Sequence, residues 1–150
     1  MWLNGRLQIA DCRLQNAERR LQSADCRVNG EQLRMRFLAF AVRIIHVSAA
    51  LPKTEEGLHI RRQVLRSGTS AGANYQEACG AESRADFIHK MQIVLKELRE
   101  TLYWLQVVRA AGMLPAVRMG GVTQESDELI AIVVRSLVTA RGNARHVRKG

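Results

Sequence analysis

From Ser83 to Ala111 the chain runs without a proline or a glycine, and that uninterrupted stretch limits the available folds more than any other feature. Phe87, Met91, Val94, Leu98, Leu102, Leu105 and Val108 recur at spacings of three and four. That places them on one stripe of an α-helix, where side chains three and four apart share a face. Ile88, Leu95, Tyr103, Trp104 and Val107 widen the stripe. A helix so apolar has to be covered on more than one side, at the centre of a bundle or at a subunit interface. Ser83 is placed to cap its start, Asp86 suits the positive end of the helix dipole, and Gly112 followed by Pro115 supplies the stop.

The flanking segments read as partners for this helix. Residues 31–51 carry Leu33, Phe37, Phe40, Ile44, Val47 and Leu51 at alternating steps of four and three, and Pro52 ends the pattern. The link from Pro52 to Gly57 is short, so the next helix turns back antiparallel. Residues 59–79 form that helix, with Val64, Gly68, Ala71, Tyr75 and Ala78 on one face. Each glycine costs up to about 1 kcal/mol of helix propensity. Gly68 and Gly72 are therefore read as packing positions that let a neighbouring helix approach closely. Asn74 and Glu77 lie near that seam and need hydrogen-bond partners if buried. Residues 113–121 read as a connector, and Thr123 or Ser126 opens the last helix, with Glu125, Asp127 and Glu128 in its first turn. Leu129, Ile130, Ile132, Val133, Leu137 and Val138 form its buried face, and Gly142-Asn143 ends it. The pattern predicts an all-α, antiparallel up-down four-helix bundle over residues 31–141 and a solvated basic tail over 142–150.

The first thirty residues differ. Leu7, Leu14, Leu21 and Val28 occupy one heptad position, and Ala10, Ala17 and Ala24 the position three later. Leucine and alanine there would make a thin coiled-coil seam. The other reading is a translated upstream DNA repeat, with Met35 as the authentic start. Alanine buries little area, and three heptads are marginal for a lone helix, which favours the second reading. Asn29-Gly30 breaks whatever helix forms.

Apolar residues make up 47% of the chain and charged ones 25%, a balance that excludes disorder throughout. No apolar run reaches the roughly 18 residues that span a bilayer, and the N-terminus lacks a signal-peptide layout. A cytoplasmic protein is expected. Cys12, Cys26 and Cys79 form no C-x-x-C pair and read as free thiols. With 23 basic and 14 acidic side chains the net charge is +9, which raises association with nucleic acid or another acidic partner.

Gly68-Thr69-Ser70-Ala71-Gly72 matches G-x-S-x-G, the strained strand-to-helix turn of a serine hydrolase. The residues before it read as helix and nothing supplies a sheet, so no catalytic residue is assigned and no enzymatic activity is expected. The four histidines are scattered, and Asp86-Phe-Ile-His89 has no second copy to complete a di-metal site. No metal or cofactor is expected. Lys96-Glu97-Leu98-Arg99-Glu100 reads as a solvated edge; the sharper alternative pairs Glu97 or Glu100 with Arg62 or Arg66 across the bundle. For nucleic acid the candidates are Arg61, Arg62 and Arg66, with Arg141, Arg145, Arg148 and Lys149 in the tail. No aromatic residues interleave with them, so contacts would go to phosphates with little sequence preference. Tyr103 and Trp104 are candidates for packing between subunits.

Three segments in order carry a resemblance: Arg66-Ser-Gly-Thr-Ser-Ala-Gly-Ala-Asn-Tyr-Gln-Glu-Ala78, Ala81-Glu-Ser-Arg-Ala-Asp-Phe-Ile-His-Lys90 and Leu95-Lys-Glu-Leu-Arg-Glu-Thr-Leu-Tyr-Trp-Leu105. Over about residues 33–141 the chain resembles the bacterial four-helix-bundle proteins of the 23S ribosomal RNA intervening-sequence family. The resemblance implies a small antiparallel bundle that assembles into a homopentamer. It implies similarity in fold to the accessory variability protein of diversity-generating retroelements, a basic pentamer that binds reverse transcriptase and nucleic acid. It implies no enzymatic activity and carries over no catalytic residue.

Overall fold

The computed structural model describes residues 30–147, with side chains described as far as residue 142. The heptad repeat, Cys12, Cys26, Arg148 and Lys149 lie outside the described residues, as does the side chain of Arg145. Among the described residues every regular element is a helix. The first, α1, covers residues 30–50 and already includes Gly30, so the break expected at Asn29-Gly30 does not reach that glycine. Phe37, Phe40, Ile44, Val47 and Leu51 are all buried, as their spacing predicts.

Helix α2 runs Glu55–Cys79 and so begins one turn earlier than the expected start at residue 59. The reason is Thr54, whose hydroxyl oxygen accepts the Gly57 N–H at 3.2 Å, with Glu55 and Glu56 following in the first turn. Gly57 belongs to the helix and not to the link. A Cβ there would fall 2.1 Å from the Pro52 carbonyl oxygen, so no larger residue fits that close approach.

Helix α3 runs Arg84–Ala110, close to the sequence expectation. The Ser83 hydroxyl accepts the Asp86 N–H at 3.1 Å. At the far end Gly112 takes φ +62°, the left-handed conformation that favours glycine. Its N–H reaches Arg109 O and that of Met113 reaches Val108 O, a Schellman closure. The buried stripe is Met91, Val94, Leu98, Thr101, Leu105 and Val108, with Thr101 in the place expected for Leu102, which is half-buried.

Helix α4 runs Ala116–Val147 and corrects both expected boundaries of the last helix. It starts directly after Pro115, whose carbonyl accepts the Arg118 N–H at 2.9 Å, and passes through Gly120-Gly121. Those glycines cost about 1 kcal/mol each against alanine. Burial of Met119 and Val122 on either side offsets that cost at roughly 1.5–3 kcal/mol per large apolar side chain. Ser126 is buried inside the helix and does not cap it. The helix also continues past Gly142-Asn143, so the basic tail is helical as far as Val147. Leu129, Val133 and Leu137 form the buried face, while Val138, expected there, is 64% exposed.

From Arg36 onward the four helices form one bundle. Contacts between α1 and α2 join Leu51 to Arg61, Ile44 to Gly68 and Phe37 to Tyr75, so one number falls as the other rises. Between α2 and α3 the pairs are Ser67 with Thr101 and His59 with Trp104. Arg84 Nε donates to Ala140 O from α3 to α4, and Arg36 joins α1 to Glu125 and Glu128 of α4. Helices α1 and α2, and α2 and α3, therefore run in opposite directions, as short connections require.

Candidate nucleic-acid interface

The seam between α2 and α3 is polar in its middle. Ser67 Oγ donates to Gln63 O at 2.9 Å and accepts from Thr101 Oγ1 at 3.0 Å; the Thr101 hydroxyl also lies 2.8 Å from Glu97 O. Next to this buried bridge, Arg66 pairs with Glu100 and lies 3.5 Å from the Glu97 carboxylate, which is buried. The structure thus has the cross-bundle pairing, and not the simple solvated edge, for Glu97 and Glu100. Hydrogen bonding to Glu100 raises the Arg66 pKa further and fixes it as a cation.

That seam divides the three arginines of α2. Arg66 is occupied by two carboxylates. Arg61 is partly buried and donates to the Leu51 carbonyl at 2.9 Å. Arg62 is exposed and makes no ion pair among the described residues.

A second group of cations lies elsewhere. Lys96 and Arg99 of α3 and Arg141 of α4 line a groove of about 570 Å³ between the two helices. Its walls include Leu95, Val134 and Val138, and no acid among the described residues lines it. None of the three cations forms an ion pair among the described residues. Arg141 was a sequence candidate; Lys96 and Arg99 were not, because their alternation with Glu97 and Glu100 disguises which side each charge takes. On the other flank of α4, Arg43, His46 and Arg118 line a groove of about 490 Å³. Attraction here is toward anions on both sides of α4.

The α2–α3 seam also assembles aromatic rings that are dispersed in sequence. His59 meets Trp104 edge-on with centroids 5.9 Å apart, and Tyr103 meets Trp104 at 5.1 Å. Tyr103 is 57% exposed, His59 and Arg62 are exposed too, and Arg62 lies one turn after His59 on α2. No run of residues announces this cluster, since His59 and Trp104 are brought together only by folding.

Gly68 and Gly72 face α1. A Cβ on Gly68 would sit 2.7 Å from Ile44, and one on Gly72 would sit 3.5 Å from Phe37 Cβ. The G-x-S-x-G segment is therefore a close helix crossing in the middle of α2 and not a turn. Asn74 donates to Ser70 O at 2.9 Å, and Glu77 is exposed. Cys79 is a free, exposed thiol. No described helix is long and apolar enough to cross a membrane.

Residues 32–135 match the family described as 23S rRNA-intervening sequence protein. The chain is also similar to a crystal structure from Bacteroides thetaiotaomicron VPI-5482, a protein of unknown function from the S23 ribosomal protein family. The two share 36% identity over 70% of this chain and 97% of that one, with a TM-score of 0.66. No curated protein matches.

Proposed function

The chain belongs to the 23S rRNA-intervening sequence protein family, and on that premise we propose that it is a non-enzymatic bundle that binds nucleic acid through its unpaired cations. The observation that carries this reading is the groove holding Lys96, Arg99 and Arg141, which no acid lines among the described residues. Cations that no carboxylate neutralises are the ones that release counterions from a phosphate backbone. Arg62 and Arg118 extend the same chemistry to neighbouring faces, while Arg66 is spent on internal pairing. Arg145, Arg148 and Lys149 add charge to the same end of the chain. In this reading the protein acts in the cytoplasm as an adaptor in a ribonucleoprotein or retroelement complex, with a reverse transcriptase as its protein partner. The test is fluorescence anisotropy with labelled RNA and DNA across a salt series. Binding should weaken linearly in log salt, and absence of binding at about 50 mM salt would overturn the proposal.

A second reading makes the protein an interaction scaffold assembled from copies of itself, in which the charge is incidental. It is favoured by Leu38, Val42 and Ile45, which lie one and two turns apart on the outward side of α1 and are 58%, 43% and 48% exposed. A homopentamer is the expected assembly. Light scattering gives the mass directly, and a monomer at about 100 μM, far above the Kd of a stable oligomer, would remove this reading.

A further inference from the structure

We propose that the His59–Trp104–Tyr103 ring cluster, with Arg62 and Arg99 beside it, is a stacking platform for the bases of single-stranded nucleic acid. The inference rests on the nucleic-acid reading above and narrows it to unpaired strands.

The rings meet at 5.9 and 5.1 Å with interplanar angles of 74° and 70°. An edge-on contact uses the rim of one ring and leaves faces of the cluster unpaired, and Tyr103 is 57% exposed. The Trp104 indole Nε1 is buried and donates to nothing among the described residues, so packing alone holds that ring. The result is a fixed aromatic patch with one freely accessible phenol.

Charge beside the patch suits a backbone. Arg62 follows His59 by three residues on α2, and Arg99 precedes Tyr103 by four on α3, so each shares a face with its ring. Neither is in an ion pair among the described residues. The nearest carboxylate on α3, Glu100, is held by Arg66. Glu55 and Glu56 lie one turn before His59, on its side away from Arg62. A strand would therefore stack at the rings and direct its phosphates toward Arg62 and Arg99. Every base offers a flat π-face, so the site would accept any sequence. A duplex keeps its bases stacked on each other and cannot use the rings.

The chain has two tryptophans, so replacing Trp2 by phenylalanine leaves Trp104 as the sole indole reporter. The probes are 15-nucleotide oligo(rU) and oligo(dT) and a 15-base-pair duplex, titrated into the full chain at fixed low salt. Both single strands should quench Trp104 and bind more tightly than the duplex; the difference between oligo(rU) and oligo(dT) tells whether RNA or DNA is preferred. Tyr103→Ala should weaken single-strand binding roughly 5- to 150-fold, the loss of about one stacked base. Duplex binding should be unchanged, and Tyr103→Phe should restore single-strand affinity. Equal binding of strand and duplex without quenching would overturn the platform while leaving the phosphate reading standing. Failure of every probe to bind would overturn both. If Tyr103→Ala changes the oligomeric mass but not strand affinity, the rings are a subunit contact and the platform is wrong.

Discussion

Gly68 of α2 lies so close to Ile44 of α1 that a methyl group on its Cα would fall 2.7 Å from both the Cγ1 and the Cγ2 of that side chain. Ile44 is buried and β-branched, with little freedom to move aside. Gly68→Ala should therefore destabilise the bundle by about 1–3 kcal/mol, the usual cost of overpacking. Gly72 is the internal control: a Cβ there meets Phe37 at ordinary van der Waals distance, 3.5 Å. Gly72→Ala should gain up to about 1 kcal/mol from helix propensity. Denaturant melts of the two variants should move in opposite directions, and parallel shifts would contradict the crossing geometry.

Removing Arg66 should cost stability and leave nucleic-acid affinity nearly untouched. Its partner Glu97 is buried, and Arg66→Met would leave that carboxylate without its cation. The expected loss is about 1–3 kcal/mol by denaturant titration. The salt slope of binding should stay as in the parent chain. A fall in that slope would assign Arg66 to the phosphate contacts after all.

Lys96 and Arg99 should behave in the opposite way. Changing both to glutamate should lower the salt slope by about 1.4–1.8, at roughly 0.7–0.9 per phosphate contact, with little change in melting. An unchanged slope would clear the α3–α4 groove of any role in binding.

Arg36 on α1 meets Glu125 at 3.0 Å and Glu128 at 2.6 Å on α4. Its hydrogen bond holds the Glu128 carboxyl below the ordinary 4.5. A carboxyl depressed by folding adds stability above its unfolded pKa, and that gain is lost as pH falls through the folded value. Arg36→Gln should therefore be less stable than the parent near neutral pH, with the difference closing as pH falls through the depressed Glu128 value. A difference that persists in strong acid would mean that Arg36 acts through its aliphatic stem.

Helices α1 and α3 were legible because large apolar residues spell out their period, and a capping serine and a left-handed glycine mark the ends of α3. The start of α4 was not. Gly120-Gly121 argues for a loop by local propensity, and only the burial of Met119 and Val122, a tertiary effect, overrides it. Thr101 replaced Leu102 on the core stripe for a similar reason: its hydroxyl has a partner in Ser67, which no spacing rule reveals. The site was the least legible part. Whether an arginine is occupied, as Arg66 is, or open, as Arg62 is, depends on what the opposite helix presents.

Leu38, Val42 and Ile45 give α1 greasy residues on the side turned away from its neighbours in the bundle. Protein concentration then becomes a variable of the molecule's behaviour. If copies cover the stripe, the thermal midpoint climbs as the sample is concentrated, because association draws chains out of the unfolded pool. If nothing covers it, the same stripe sets a ceiling on solubility, and a polar residue at Leu38 would raise that ceiling without loosening the fold.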